Sequence, residues 1–381
     1  MAGIGARLGD VFDLKNPSRI LPMEGVRGVA VTLVFFVHYF SCFQPLIARS
    51  HVSVAAWLPG VGRAGVDLFF VLSGYIIYGS ILKARQFALG TFLFRRIRRI
   101  YPVFLVMLAF YLALSFCLPN ESKLPAGGFQ TALYIAANAL LLPGIFDITP
   151  MITVAWSLSY EMFFYVALPV FVGALKLRER TRAQRIAVMS ALAVALTAFA
   201  WLGGGRVQLV MFVAGILAFE AVDAFRSVEV SRSERKLHIP MNLLAVAGLP
   251  ISWVIILLCE SSSTGNAFIL RTVWLFFAFG VAVFVAFRPG TVLGKICSIT
   301  PLRALGNMSY SYYLMHGLAL KALAAVGLKL LGHSAPNPWV FWMLMPLCYA
   351  ATLIPSAVLY AAVEKRFSMP PVRVDVAPVR A

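Results

Sequence analysis

The sequence is short of charge, and shortest of acid. Aspartate and glutamate number 15 against 33 lysines and arginines, and charged residues make up only 13% of the 381. A soluble domain carries about 25% charged residues, so a water-facing globule is excluded as the main form of this chain. The five cysteines, Cys42, Cys117, Cys259, Cys297 and Cys348, include no C-x-x-C pair. A disulfide framework and a cysteine-built metal centre are therefore not expected, and the thiols read as small apolar side chains. A G-x-x-x-x-G-K-[ST] loop, a G-x-G-x-x-G turn after a strand and an H-E-x-x-H helix are all missing. An ATP-driven pump, a dinucleotide enzyme and a zinc hydrolase have no support, and no metal ligands and no tightly bound cofactor are expected. The opening "MAGIGARLGDVFDLKNPSRI" has no apolar core of the kind a cleaved leader needs, so the first span is expected to direct insertion.

What the chain does have is hydrophobicity: 61% apolar residues and a mean hydropathy of +0.85. Ten runs approach the roughly 20 residues that cross a bilayer as a helix: 28–47, 65–82, 101–118, 154–175, 187–203, 206–222, 241–259, 268–287, 307–331 and 339–361. The expected fold class is all-α, a polytopic transmembrane bundle forming one domain over 1–381. An eleventh candidate, 131–146, is short and is interrupted by Asn138 and the Pro143–Gly144 pair.

The net charge of +18 supplies the topology. Its residues cluster between apolar runs, as the positive-inside rule requires, rather than along a nucleic-acid face. Lys83, Arg85, Arg95, Arg96, Arg98 and Arg99 precede the third run, and Lys176, Arg178, Arg180, Arg182 and Arg185 follow the fourth. Both clusters are expected in the cytoplasm, so an even number of crossings separates them. That leaves 131–146 as a re-entrant or interfacial element on the outer side, which is tolerated where protein or a wet cavity surrounds it. The loops 223–240 and 288–303 and the tail 366–381 fall on the same inner side, with both termini cytoplasmic.

Polar residues inside the runs mark candidate sites, because ionisable groups at membrane depth face a bundle interior or a wet cavity. Arg27 and His38 share the first run, and eleven residues at 1.5 Å separate them by roughly 16 Å. Arg27 then lies at the inner edge and His38 near or beyond mid-membrane. Asp67, Ser73 and Tyr75 lie on the second run; Gly65, Gly74 and Gly79 beside them suit close helix packing. Trp156, Ser157, Glu161 and Tyr165 open the fourth run from the outer side. Depth alone places Glu161 in the same half as His38, so the two are expected to be able to meet. Tyr313 and His316 are i,i+3 and share a helix face. Arg96 and Arg99 are also i,i+3, and guanidinium forks match phosphate geometry.

Together these segments resemble the acyltransferase-3 family of integral membrane acyltransferases. The resemblance rests on "VRGVAVTLVFFVH" from Val26 to His38, "GVDLFFVLSGYII" at 65–77, "RRIRRIYP" with Arg96 and Arg99, "WSLSYEMFFY" at 156–165, and "SYSYYLMH" from Ser309 to His316. Five motifs in the family's order cover most of the chain. Glu24 stands where aspartate is common and Val26 where leucine or isoleucine is common, and neither is the arginine or the histidine of the motif. The chain resembles the stand-alone membrane type, without a C-terminal esterase-like domain.

The resemblance implies transfer of an acyl group, most often acetyl, from cytoplasmic acyl-CoA to a hydroxyl of a carbohydrate or lipid-linked glycan. O-antigen, exopolysaccharide and lipo-oligosaccharide all fit, as does a secondary metabolite such as a macrolide. Catalytic roles would fall to His38 as base and to Glu161, either orienting the His38 ring or steering the acceptor, and donor binding to Arg27, Arg96 and Arg99. Asp67, Ser73, Tyr75, Trp156, Ser157, Tyr165, Tyr313 and His316 would line the acceptor path. Membrane lipids are the other expected partner, in a bacterial inner membrane. A proton-coupled transporter or flippase is the competing class, since buried His and Glu can relay protons.

Overall fold

A computed structural model describes residues 12, 14, 20–47, 55–203, 206–227, 248, 251–252, 254–259, 265–331 and 337–368. The expected span at 241–259 lies mostly outside these residues, as do most of the loop 223–240 and all but the first three residues of the tail 366–381. Among the described residues there are twelve α-helices of six residues or more, in this order: α1 Leu21–Phe43, α2 Trp57–Leu82, α3 Leu89–Cys117, α4 Gly128–Ala139, α5 Trp156–Ala174, α6 Arg182–Trp201, α7 Val210–Ser227, α8 Gly265–Ala286, α9 Val292–Cys297, α10 Thr300–Asn307, α11 Ser309–Leu331 and α12 Pro338–Leu359. A π-helical stretch, Tyr360–Ser368, continues α12. Nine of these helices are long and apolar enough to cross a membrane. The protein is an all-α polytopic bundle, as its hydropathy predicts.

α2 and α7 are the most enclosed spans, each 67% buried, whereas α6 is only 11% buried and stands at the periphery. Lipid tails are as apolar as leucine, so hydrophobicity alone does not pull membrane helices together; close backbone approach does. Glycine permits it here. A Cβ on Gly74 of α2 would sit 2.0 Å from the Phe212 carbonyl oxygen of α7, and one on Gly215 of α7 would sit 1.9 Å from that of Val71. α1 meets the short α9 and α10 in the same way: Gly25 faces the Cys297 carbonyl of α9, and Gly306 of α10 faces the Glu24 carbonyl, each at 1.7 Å for a built Cβ. The expected packing role of Gly65 holds too, with Ala30 O of α1 2.4 Å from its built Cβ.

Ionic ties fix the helix ends. Arg185 of α6 forks onto Glu220 of α7 at 2.5 and 2.9 Å, while Tyr78 of α2 donates to the same carboxylate at 2.6 Å. Lys83 and Arg182 share Asp223 at 2.8 and 2.9 Å. Glu24 of α1 holds Arg303 of α10 at 2.8 Å.

α3 starts twelve residues before the expected span and carries the whole "RRIRR" run as helix. Hydropathy marks where a helix enters lipid, not where the helix begins. Pro102 lies inside α3, which the surrounding bundle tolerates. The segment 131–146 forms no crossing helix. α4 has 12 residues, about 18 Å at 1.5 Å each. The chain then reverses through Leu141 and Gly144, both at positive φ. Tyr160 donates to the Gly144 carbonyl, and Asn138 accepts from the Met151 amide at 2.8 Å. The segment thus folds back onto the start of α5.

Candidate active site

A cavity of about 120 Å³ lies between α1, α2, α3, α5 and α11. Helical periodicity brings the polar groups into it. Arg96 and Arg99 share one face of α3, Ser157, Glu161 and Tyr165 recur at i,i+4 on α5, and Tyr310 and Tyr313 are i,i+3 on α11. All of these, with Arg27 of α1 and Ser73 of α2, line the cavity.

Its arginine end is built around Glu161. The carboxylate accepts from Ser73 Oγ at 2.7 Å and from Tyr165 OH at 2.5 Å through the same oxygen. The Arg96 guanidinium stands over the rings of Phe92 and Tyr165, 5.2 and 5.7 Å from their centroids. Arg96 Nε is buried without a hydrogen-bond partner. Arg99 Nη2 faces Glu364 Oε1 at 3.6 Å. Three guanidinium groups thus converge on one cavity, an arrangement suited to an anion with several oxygens.

Hydroxyls of Ser157 and Tyr313 complete the lining, and a histidine pair lies just outside it. Tyr313 OH pairs with Ser157 Oγ at 2.7 Å and reaches the Val154 carbonyl at 3.0 Å. One turn further along α11 lies His316, 0% exposed, with its ring stacked on Tyr312. Its Nδ1 is 2.9 Å from the Tyr312 carbonyl oxygen. A carbonyl can only accept, so Nδ1 carries the proton and Nε2 presents its lone pair. Nε2 is buried and unpartnered. His38 meets this ring edge-to-face, with centroids 4.9 Å apart, and is itself half-buried.

This geometry corrects the pairing expected from depth. Glu161 belongs with Ser73, Tyr165 and the arginines, while the ring beside His38 is that of His316. The reason lies before α5: in the 3-10 turn Thr153–Ala155, Val154 and Ala155 are already buried, and the Val154 carbonyl accepts from Tyr313. Counting depth from the start of the apolar run therefore places Glu161 too shallow in the bundle.

Three expected path residues are used elsewhere. Asp67, 2% exposed, is 3.3 Å from Arg271 Nη2, which also donates to the Gly60 carbonyl at 3.2 Å. Tyr75 packs edge-on against Phe219 and Phe287. Trp156 packs against Phe70 and under the Arg206 guanidinium, 5.2 Å from its centroid. None of the three lines the cavity, because each points from its helix toward a different neighbour. Ser73, Ser157, Tyr165 and Tyr313 do line it, whereas His316, the eighth expected path residue, and His38 lie beyond Tyr313 and are not among the lining residues.

Sequence reasoning passed over Arg271, Glu220 and Glu364. The first two carried a readable signal, a lone charge within an apolar run. Glu364 did not, since it sits beside Lys365 and Arg366 in what reads as a charged tail. Ser309 and Tyr310 also line the cavity. Among the described residues no cluster of three or more metal-ligating side chains occurs.

The family model described as an acyltransferase domain matches residues 21–361. The BcsY protein of Komagataeibacter xylinus is 28% identical over 331 residues, covering 80% of this chain and 73% of that protein. The exopolysaccharide production protein ExoZ of Rhizobium meliloti (strain 1021) is 30% identical over 292 residues, covering 72% of this chain and 82% of that protein. The O-acetyltransferase OatA of Staphylococcus aureus is 22% identical over 326 residues, 78% of this chain but 50% of OatA. The chain thus spans about half the length of its OatA relatives. No solved structure matches it.

Proposed function

The chain belongs to the acyltransferase-3 family of integral membrane acyltransferases, and from that premise we propose that it moves an acetyl group from cytoplasmic acetyl-CoA to a hydroxyl of an exported or cell-surface carbohydrate. The observation that carries the reading is the polarity of the site. Three arginines, Arg27, Arg96 and Arg99, line the cavity together with Tyr313, and the pair of His38 and His316 lies outside that lining, one helical turn beyond Tyr313. Phosphates of a CoA donor would be held by Arg27, Arg96 and Arg99 at the cytoplasmic mouth. The thioester would point along the cavity toward Tyr313.

The acceptor hydroxyl attacks the thioester carbonyl. A C–O bond forms, the C–S bond breaks, and the hydroxyl proton passes to His38 and then to the CoA sulfur. A hydroxyl needs such a base near neutral pH. The His316 ring, held by the Nδ1 bond to Tyr312, packs edge-to-face against His38 and so supports its orientation. Glu161 organises the donor end through Ser73 and Tyr165 and offsets the arginine charge. The name of ExoZ favours a polysaccharide as acceptor, and that of OatA favours acetyl as the group moved to oxygen. Loop charge supports an orientation with both termini cytoplasmic, and the bacterial sources of the relatives favour the inner membrane as its place.

The test is purified protein in detergent or nanodiscs with radiolabelled acetyl-CoA and an exopolysaccharide acceptor. Label on the polysaccharide in wild type and none with His38→Ala is the expected result. Label transfer at the wild-type rate in that variant sinks the base assignment. Vectorial movement of unmodified solute, with no label transferred, would support transport instead.

A further inference from the structure

Glu364 is a fully buried carboxylate in a chain poor in acid, 0% exposed at the end of the bundle. One of its oxygens is well held: Oε2 accepts from the Ser311 amide at 3.0 Å and from Ser311 Oγ at 2.6 Å. The other, Oε1, has no hydrogen bond. It points at Arg99 Nη2 from 3.6 Å, an ion-pair separation beyond a good hydrogen bond. A buried carboxylate with one bare oxygen is a costly arrangement, so it calls for a reason. One turn later on the same π-helical stretch, the Phe367 carbonyl accepts from Arg98 Nε at 3.3 Å. The segment after α12 thus grips two consecutive arginines of α3. The second of them, Arg99, also lines the cavity.

We propose that Glu364 is a positioning residue for the acyl donor, holding Arg99 from behind so that its remaining N–H groups face the donor phosphates. This rests on the donor reading of the arginine end. Ser311 fixes the carboxylate, the carboxylate fixes the guanidinium, and the guanidinium meets the ligand. A guanidinium already tethered on one side loses less freedom when phosphate binds on the other. The 3.6 Å gap leaves Arg99 free to settle onto the ligand rather than being locked to its partner.

The experiment uses Glu364→Gln, Arg99→Gln, the double variant and Ser311→Ala in the full chain, with two donors. Acetyl-CoA carries phosphates; S-acetylpantetheine carries none. Arg99→Gln is expected to raise KM for acetyl-CoA roughly tenfold, the loss of about one charge-assisted hydrogen bond. Glu364→Gln should raise it severalfold and Ser311→Ala less. The double variant should be no worse than Arg99→Gln alone, and KM for S-acetylpantetheine should not change in any of them. Equal losses with both donors, or additive losses in the double variant, overturn the positioning role in favour of plain structural support. So does an unchanged acetyl-CoA KM in Glu364→Gln and Ser311→Ala while Arg99→Gln is impaired. An unimpaired Arg99→Gln strikes the donor reading itself, a different failure. If Glu364→Gln does not fold, Ser311→Ala decides alone, since it leaves the Ser311 amide bond and the charge in place.

Discussion

The cavity and the histidine pair beyond it satisfy their polar groups in opposite ways. At the arginine end, charge is answered by charge and by hydroxyls: Glu161 takes Ser73 and Tyr165, and Arg99 faces Glu364. At the histidine end, one ring nitrogen of His316 meets a backbone carbonyl and the other meets nothing. Compensated charge is suited to holding a multiply charged ligand while leaving its net cost bearable in a membrane. A neutral ring with a bare lone pair is suited to exchanging a proton. The division of labour proposed above, binding at one end and chemistry at the other, follows from that contrast.

Substitutions at each end should therefore fail differently. His38→Ala is expected to have the largest effect, a turnover loss of roughly 10²–10⁴-fold, the usual worth of a general base. Steady-state kinetics should show KM for acetyl-CoA unchanged; a raised donor KM with normal turnover would erase the contrast. His316→Phe keeps the stacked ring on Tyr312 and removes the lone pair. It should lower kcat by about tenfold to a hundredfold, the range of one to two hydrogen-bond energies, again without moving donor KM. Arg96→Gln should do the reverse, raising KM for acetyl-CoA by roughly tenfold with kcat changed less. Measuring the same variant with S-acetylpantetheine shows whether phosphate is what Arg96 reads. Ser73→Ala removes one of the two hydroxyls on Glu161 and should have the smallest effect, a few-fold in donor KM.

Asp67 tests the boundary of the site from outside it. It sits in a family motif yet is paired with Arg271 away from the cavity. Asp67→Asn strands a buried guanidinium, and removing one partner of such a pair costs about 3–5 kcal/mol. A lower melting temperature in detergent is expected, with both KM values of the surviving protein unchanged. A selective rise in one KM would put Asp67 back into the substrate path.

Much of the architecture was legible because it is written locally. Apolar length marks the spans, and it is a property of a few consecutive residues. The shared face of Arg96 and Arg99, and that of Tyr313 and His316, follow from helical period alone. The reversal at 131–146 was foreshadowed by Asn138 and Pro143–Gly144. The helix starts were less legible: α3 begins at Leu89 rather than near residue 101, because polar helix formers extend a helix without adding hydropathy.

The sequence by itself therefore determined a polytopic helical bundle, its basic clusters and the family motifs that carry Arg27, His38 and Glu161. Only the tertiary structure decided which of these residues meet. Glu161 turned to Ser73 and the arginines, His38 turned to His316, and Asp67 turned to Arg271. Those choices depend on how each helix is rotated and where it enters the bundle. Rotation is set by backbone contact at glycines such as Gly25, Gly74 and Gly215, and entry by turns such as Thr153–Ala155. Neither is encoded in the spacing of polar residues along any one span. Glu364 shows this most plainly: 265 positions after Arg99 and written as part of a charged tail, it reaches that guanidinium only because the last helix folds back along α3.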